Sequence, residues 1–476
     1  MSTPTDDTFL LAHQILPLSY SFSSPISPIS IRDQMIRAKM FVEHAIAANL
    51  LASTKKLLIV GGGAAGVSLA IEAAGRKIGV VLLEREKELF GLQRKAPDRW
   101  IDPTQYDWPL SNWTVGKFPC RSPLLPTETL PEVAMDWEAG TASSLALAWS
   151  IHLKDAETDP KLSLAVHRNA TVEHGYPQLM GDRIVSRFVR EGKATTVEEE
   201  FGCVVYALGF GNERIPDGNY RGFRYWDDDL LGEPDFGRPD KAGGKPITIA
   251  ICGSGDGALQ DFLRIATGLR SAKNLMVQLE KKLPSHLAIQ LATEEDNARR
   301  HHAWIQETER DHPHLKRLHS MYEEAANQAA SIPSIQDILA IVCGPILSRL
   351  TVNLYYSCDH FSQCFPLNHF LSLLILKWDA TRGRTIRIND TVRLNGVEGV
   401  APHACNGNQS ECHANEHQIH LGRSVCGTKL AATTLSPKAD IVIVRLGTDS
   451  DLGFDPLKGR SIPRTRQLLP FTPPLE

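Results

Sequence analysis

The chain has 476 residues, 42% of them hydrophobic and 22% charged, with 51 basic against 55 acidic residues and a net charge of −4. This composition builds a globular protein of two or three domains at the usual ~100–200 residues each. The near-neutral balance argues against a nucleic-acid partner or an anionic membrane surface, and no stretch approaches the ~20 apolar residues that a bilayer span needs.

The longest apolar candidate, Phe370 to Trp378, is too short to span. The start, MSTPTDD, has no basic segment followed by an apolar one, so no secretory signal is expected and a cytoplasmic location is. Nine cysteines are scattered without a C-x-x-C pair, which predicts free thiols. The sequons at Asn112, Asn169, Asn389 and Asn408 are then chance occurrences.

Residues 1 to 30 are rich in Ser, Pro and Thr and read as an extended leader. Ile31 to Leu51 reads as a helix, with Ile31, Met35, Ala38, Val42 and Ala45 on one face. The stretch Lys55 to Glu84 follows. Leu57–Val60 is a short apolar run expected to be a buried strand. Gly61, Gly63 and Gly66 then form G-x-G-x-x-G, Val67 to Gly75 reads as a helix, and Gly79 to Leu83 as a second strand ending in Glu84. Strand, glycine turn, helix, strand and acid in that order are the context a dinucleotide fingerprint requires. The first glycine permits the turn, the second admits a pyrophosphate, and the third lets helix and strand pack. Ala64 and Ala65 lie within the turn, and the helix after it offers free N–H groups and a dipole that suit phosphates. Glu84 stands where a carboxylate accepts from ribose hydroxyls.

After Glu84 comes a Pro- and Trp-rich excursion. Arg94, Arg99, Trp100, Tyr106, Trp108 and Trp113 either face a cofactor ring or enter the core, and the residues leave both open. Thr141 to Leu153 reads as a helix and Leu162 to Arg168 as a strand. Ile184–Glu191 and Thr195–Glu200 read as a hairpin, and Gly202 to Gly209 as a buried strand ending in glycine. A linker to about Gly244 leads to Ile247–Cys252, Gly253-Ser254-Gly255-Asp256-Gly257-Ala258, a helix Leu259–Leu269, and an expected strand Asn274–Leu279 ending in Glu280. This repeats the first unit, with Ala258 at the last glycine.

Leu283 to Ile332 reads as a helical cap whose histidines (His301, His302, His312, His314, His319) form a solvated face. Leu339 to Leu376 is apolar enough to be core. Thr385–Val400 and His417–Leu421 read as strands around a polar loop. His403, Cys405, Cys412, His413, His417 and His420 fit no compact zinc spacing, so no metal is expected. Asp227-Asp228-Asp229 reads as a solvated turn, Ala439–Leu446 as a last buried strand, and the tail as extended.

Two dinucleotide units, the second inserted after the Ala207-Leu208-Gly209 strand of the first, resemble the two-dinucleotide-binding-domain flavoproteins. The resemblance covers roughly residues 50 to 280. Gly61, Gly63, Gly66 and Glu84 match that superfamily's FAD fingerprint, Gly91 is similar to its flavin-side glycine, and Val204–Gly209 to its ATG segment. The nearer likeness is to the class B flavin monooxygenases. Gly253, Gly255, Gly257 and Ala258 resemble their second motif, and Tyr220 to Trp226 loosely resembles their linker, with Trp226 at the histidine's place. The resemblance implies an α/β fold: a Rossmann-like FAD domain with an inserted second Rossmann-like nucleotide domain and a helical cap. The expected divisions are a leader and helix over 1–50, an FAD domain over 51–220 and 432–476, and an NAD(P)-like domain over 245–431 with its insertion at about 283–332.

The implied cofactors are FAD and NADH or NADPH, and the implied partner is a small-molecule substrate. The expected cofactor contacts are Gly61, Gly63, Ala64, Ala65, Gly66, Glu84, Arg85, Gly91 and Gly209 for the first unit. For the second they are Gly253, Gly255, Gly257, Ala258 and Glu280. Glu280 favours NADH, because a carboxylate repels a 2′-phosphate, but Lys281 and Lys282 oppose it, so the choice stays open. Disulfide reduction is disfavoured, since no cysteine lies between Gly61 and Cys120. An FAD-dependent oxidoreductase, in the direction of a monooxygenase, is the leading expectation. An oxidase or dehydrogenase without nicotinamide and a non-catalytic nucleotide-binding sensor are the rivals.

Overall fold

Parallel strands covered by helices on both faces must be apolar throughout, and the runs around both glycine motifs satisfy this. A computed structural model describes residues 7–22, 30–109, 113–119, 135–190, 196–209, 211–215, 217–218, 220, 222–229, 231, 246–300, 313–361, 364–399, 417–425 and 428–448. Its first sheet contains β1 (Gln14–Leu16), β2 (Ser19–Ser21), β3 (Leu57–Val60), β4 (Val80–Leu83), β5 (Leu164–His167) and β6 (Cys203–Tyr206), in the order β1-β2-β6-β3-β4-β5. From β2 to β5 every pairing is parallel. Helices α1 (Ile31–Ala47), α2 (Ala64–Gly75) and α3 (Ala142–Thr158) belong to this unit.

The start of the chain departs from the expected extended leader. Thr8–His13 is a helix, and β2 pairs with β6, so this segment closes one side of the sheet. Phe9, Leu10, Tyr20 and Phe22 are buried in the first core, which explains why a Ser-rich segment is ordered. Helix α1 begins with a reciprocal capping box between Ser30 and Asp33. It buries Met35, Ala38, Phe41, Val42 and Ala45, and lies against α2.

The second sheet contains β7 (Ile247–Cys252), β8 (Leu350–Tyr355), β9 (Ile386–Asn389) and β10 (Ile441–Val444), all parallel, in the order β9-β8-β7-β10. Two expectations are corrected here. The segment Asn274–Leu279 is not a strand; it lies in helix α5 (Ala272–Glu280), after α4 (Asp256–Thr267). The partner of the glycine strand is β8, reached through α6 (Ser285–Arg300), α7 (Pro313–Ala330) and two short helices. The last strand does not return to the first domain either, because β10 pairs with β7.

The two units therefore share one plan. The order β6-β3-β4-β5 of the first matches β10-β7-β8-β9 of the second. Each places an antiparallel meander, at Ala170–Phe201 or Val392–Ala439, between its third and last parallel strands. Helix α8 (Pro366–Ala380) is buried almost throughout and completes the second core.

Candidate functional site

The first glycine turn is built by close approach. Gly61 has φ +112°, and a Cβ there would lie 2.4 Å from the Ala207 carbonyl oxygen just past β6. A Cβ on Gly66 would lie 1.9 Å from the Gly61 carbonyl oxygen. Gly63 caps α2 with φ −79° and ψ −176° and contributes no side-chain hydrogen bond. A Cβ at Gly63 would meet nothing within 4 Å, so this face of the turn is open. The first N–H groups of α2, at Ala64 and Ala65, lack intrahelical partners by geometry and carry the positive end of the dipole.

The rest of the first constellation is tied to this turn. The Glu84 carboxylate accepts from Gly62 N at 2.6 Å and Glu86 N at 2.9 Å. Phe90 N donates to Gly62 O at 3.0 Å, which fixes the turn leading into Gly91, where a Cβ would again meet open space. Gly209, φ +78°, follows β6 and is also open. Gly61, Gly63, Ala64, Ala65, Gly66, Glu84, Gly91 and Gly209 thus gather at the C-terminal ends of β3, β4 and β6, where ligands of such sheets bind. Arg85 is exposed and pairs with Glu86 at 3.2 Å. The open glycine face, the helix start without a side-chain cap and the adjacent carboxylate suit a dinucleotide with its diphosphate on α2.

Beside these strand ends lies a cavity of about 360 Å³. Its arginines are already engaged, Arg94 with Leu89 O and Ser150 Oγ, Arg168 with both Glu157 oxygens at 3.0 Å. Lys154 lines it as well, beside Glu88 and Glu157.

The aromatic excursion resolves toward core. Trp108 and Trp113 are buried in the second unit's core, and Trp108 packs on Phe370. Trp113 Nε1 donates to Glu280 at 2.9 Å. Glu280 therefore ends a helix and holds a tryptophan, rather than following a strand at a ribose position.

The second turn has the backbone of the first. Gly253 has φ +138°, and a Cβ there would stand 2.2 Å from Arg445 O, just as Gly61 meets Ala207 O. Gly255 caps α4 with φ −79° and ψ 177°, again without a side-chain bond. Ala258 is buried, its methyl beside Gly253. Gly447 follows β10 with φ +80°, the counterpart of Gly209. The side chains differ. Asp256, not alanine, opens the helix, and its carboxylate accepts from Phe365 N at 3.0 Å and Asn368 Nδ2 at 2.7 Å. Burial pushes this carboxyl up to about 6. The Tyr225 ring lies 3.2 Å from the place of a Cβ on Gly257.

Behind this turn lies a buried ionic cluster. Asp261 accepts from Arg99 at 2.5 Å and Arg445 at 2.8 Å, and Asp229 from Arg99 at 3.1 Å and Arg264 at 2.8 and 2.9 Å. Burial acts to raise the Asp261 carboxyl, but the three arginines override it and hold it below the usual range. Asp229 is thus no solvated turn, and Arg99 binds carboxylates instead of facing a cofactor ring. Asp256, Tyr225, Asn368 and Arg445 were not among the expected site residues. The one visible signal was the acid inside the second glycine motif.

His319 corrects the solvated cap face: its Nδ1 lies 2.8 Å from His369 Nε2, and burial lowers its imidazole to about 4. His301, His302 and His312, with His403, Cys405, Cys412 and His413, lie outside the described residues, as does the expected extended tail. His420, on the strand His417–Val425, faces Glu398 at 3.5 Å. Among the described residues no helix is long and apolar enough to cross a membrane.

No protein-family model and no curated protein matches the sequence. Among solved structures, the neighbours include FAD/NAD(P)-binding oxidoreductases, among them disulfide and thioredoxin reductases and flavin N-hydroxylating monooxygenases. The bacillithiol disulfide reductase of Staphylococcus aureus is 12% identical, with 85% of this chain and 80% of that chain covered and a TM-score of 0.41. The cadaverine monooxygenase of Erwinia amylovora, bound to FAD, is 11% identical over 83% and 78%, with a TM-score of 0.39. The ornithine N-hydroxylase of Kutzneria sp. 744, with reduced FAD, NADP+ and L-ornithine, is 11% identical over 83% and 81%, with a TM-score of 0.36. At such values the likeness carries no assignment of activity, and the fold rests on this chain's own strand order.

Proposed function

We propose that this protein is an FAD-dependent oxidoreductase of a small organic substrate, reduced by NADH or NADPH. The carrying observation is the first turn. Gly61 and Gly66 leave no room for a side chain, Gly63 leaves an open face, and Glu84 is bonded to the same turn. In this reading the α2 N-terminus holds the FAD diphosphate, Glu84 the adenosine ribose, and the Gly91 and Gly209 segments approach the flavin. The bound flavin would supply the redox chemistry, and the protein would position it and control solvent. The Gly253–Ala258 turn would take the nicotinamide nucleotide. Monooxygenation is the finer form of this reading, supported by the likeness of the second motif.

Cysteine chemistry at the two strand thiols is disfavoured. Cys203 and Cys252 are buried in strands, and burial pushes both thiols up to about 12. Such thiols are protonated and poor nucleophiles at neutral pH. A second reading, an oxidase or dehydrogenase without nicotinamide, is favoured by the Asp256 carboxylate at the start of α4. Anaerobic addition of NADH or NADPH to the flavin-loaded protein separates the two. Bleaching of the flavin supports the first reading. A flavin that reacts with neither nucleotide, yet is reduced by dithionite, supports the second.

A further inference from the structure

The shared plan of the two units makes their glycine turns comparable residue by residue. Gly61, Gly63 and Gly66 correspond to Gly253, Gly255 and Ala258, so Asp256 stands where the first unit has Ala64. The cap conformations of Gly63 and Gly255 nearly coincide, φ −79° in both. The difference lies in charge and in what holds it. Asp256 is bonded to Phe365 N and Asn368 Nδ2, at the start of α8 just past β8. That is the strand whose C-terminal end borders the nucleotide crevice in this plan. The Phe365 ring stacks on Tyr106, with centroids 3.8 Å apart. Tyr106 is hydrogen-bonded to Gln260, and Gln260 to Tyr225, whose ring covers Gly257. Segments of the first unit's excursion, the linker and α8 therefore meet over the start of α4.

The electrostatics point the same way. A diphosphate at a helix N-terminus is favoured by free N–H groups and the dipole, but a carboxylate on the first helical residue repels it. Among the described residues, the three arginines of the adjacent cluster offer no compensation. Arg99, Arg264 and Arg445 are already engaged by Asp229 and Asp261.

We propose that Asp256 sets the affinity of the second unit for nicotinamide dinucleotides: bonded to Asn368 and Phe365, its carboxylate keeps the crevice closed and opposes the diphosphate. A nucleotide then binds after this contact opens, and binding is weak. This rests on the second unit being the nicotinamide site.

The test is calorimetric titration of the flavin-loaded protein with NAD+ at pH 8, for wild type, Asp256→Asn and Asp256→Ser. Circular dichroism and thermal melting show that each variant is folded, and the serine variant carries the test if the asparagine variant is not. NAD+ lacks a 2′-phosphate, so its own charge does not change near pH 6. At least tenfold tighter binding by either variant supports the proposal. Equal or weaker binding than wild type overturns it while leaving the site in place. Binding by none of the three at millimolar NAD+ overturns the nicotinamide reading itself, and the proposal with it.

Discussion

At Gly61 and Gly63 two glycines of one motif have different reasons to exist, and substitution separates them. Ala at Gly61 puts a Cβ 2.4 Å from a backbone oxygen at a positive φ, so Gly61→Ala is expected to destabilise the fold by about 1–3 kcal/mol. Gly63→Ala meets no atom within 4 Å at an ordinary φ. It is expected to leave the melting temperature of the flavin-free protein unchanged and to weaken FAD retention, read by fluorescence of released flavin. Equal effects of the two changes on the flavin-free melt would contradict this division. Asp256 gives a pH prediction. Its carboxyl is raised to about 6 from an unfolded value near 3.8, so ionising it costs folding free energy. The cost is absent below the unfolded value and complete above the folded one. Tyr106, Tyr225 and Cys364, which face it, are all shifted upward and stay neutral at pH 8. Asp256→Asn is therefore expected to stabilise the protein by about 3 kcal/mol at pH 8 and by nearly nothing at about pH 3. Urea denaturation at the two pH values checks the difference. Both glycine motifs were legible residue by residue, because strand, turn and helix each demand particular residues. The buried partners of Asp256 were not, since Phe365 and Asn368 lie more than 100 positions away.

Elements were legible where periodicity and caps agreed. The strands Leu57–Val60 and Ile247–Cys252 and the helix from Ile31 appear as expected. Asn274–Leu279 failed because a short, mostly apolar segment fits a strand as well as a helical turn. Better signals were the Ser271 cap, which accepts from Lys273 N, and Leu275, Met276 and Leu279 on one buried face. The strand Ser19–Ser21 escaped because a three-residue polar strand has no period of its own. Its hold comes from tertiary partners: Tyr20 packs edge-on against Phe41 at 5.0 Å, and Phe22 N donates to Tyr206 O. Tyr20→Ala is accordingly expected to cost about 3–4 kcal/mol, near the value for removing a large core ring. A loss under 1 kcal/mol in urea denaturation would mean that this segment does not belong to the first core.

Over the whole molecule, the two units are joined through buried charge. Arg99 of the first unit's excursion reaches Asp229 and Asp261, and Arg445 bonds Asp261 from the other side. The linker also touches the segment just past β10, with Arg214 N donating to Gly447 O at 2.9 Å. Breaking a buried pair from one side strands the other charge, so Arg99→Met is expected to destabilise by about 3–5 kcal/mol. The double variant Arg99→Met, Asp261→Leu still leaves Arg264 and Arg445 with one acid fewer, and is expected to recover little. The doubled plan was half visible in the sequence as two glycine turns. Its common strand order was hidden by the helices between β7 and β8, which separate paired strands by nearly a hundred residues. The account as a whole stands on the first turn holding FAD. Absorbance of the purified protein, before and after incubation with FAD and gel filtration, tests this most directly. The account predicts flavin absorbance at one FAD per chain, released on denaturation and diminished in Gly63→Ala. A colourless protein that takes up no FAD, while melting cooperatively, would contradict it.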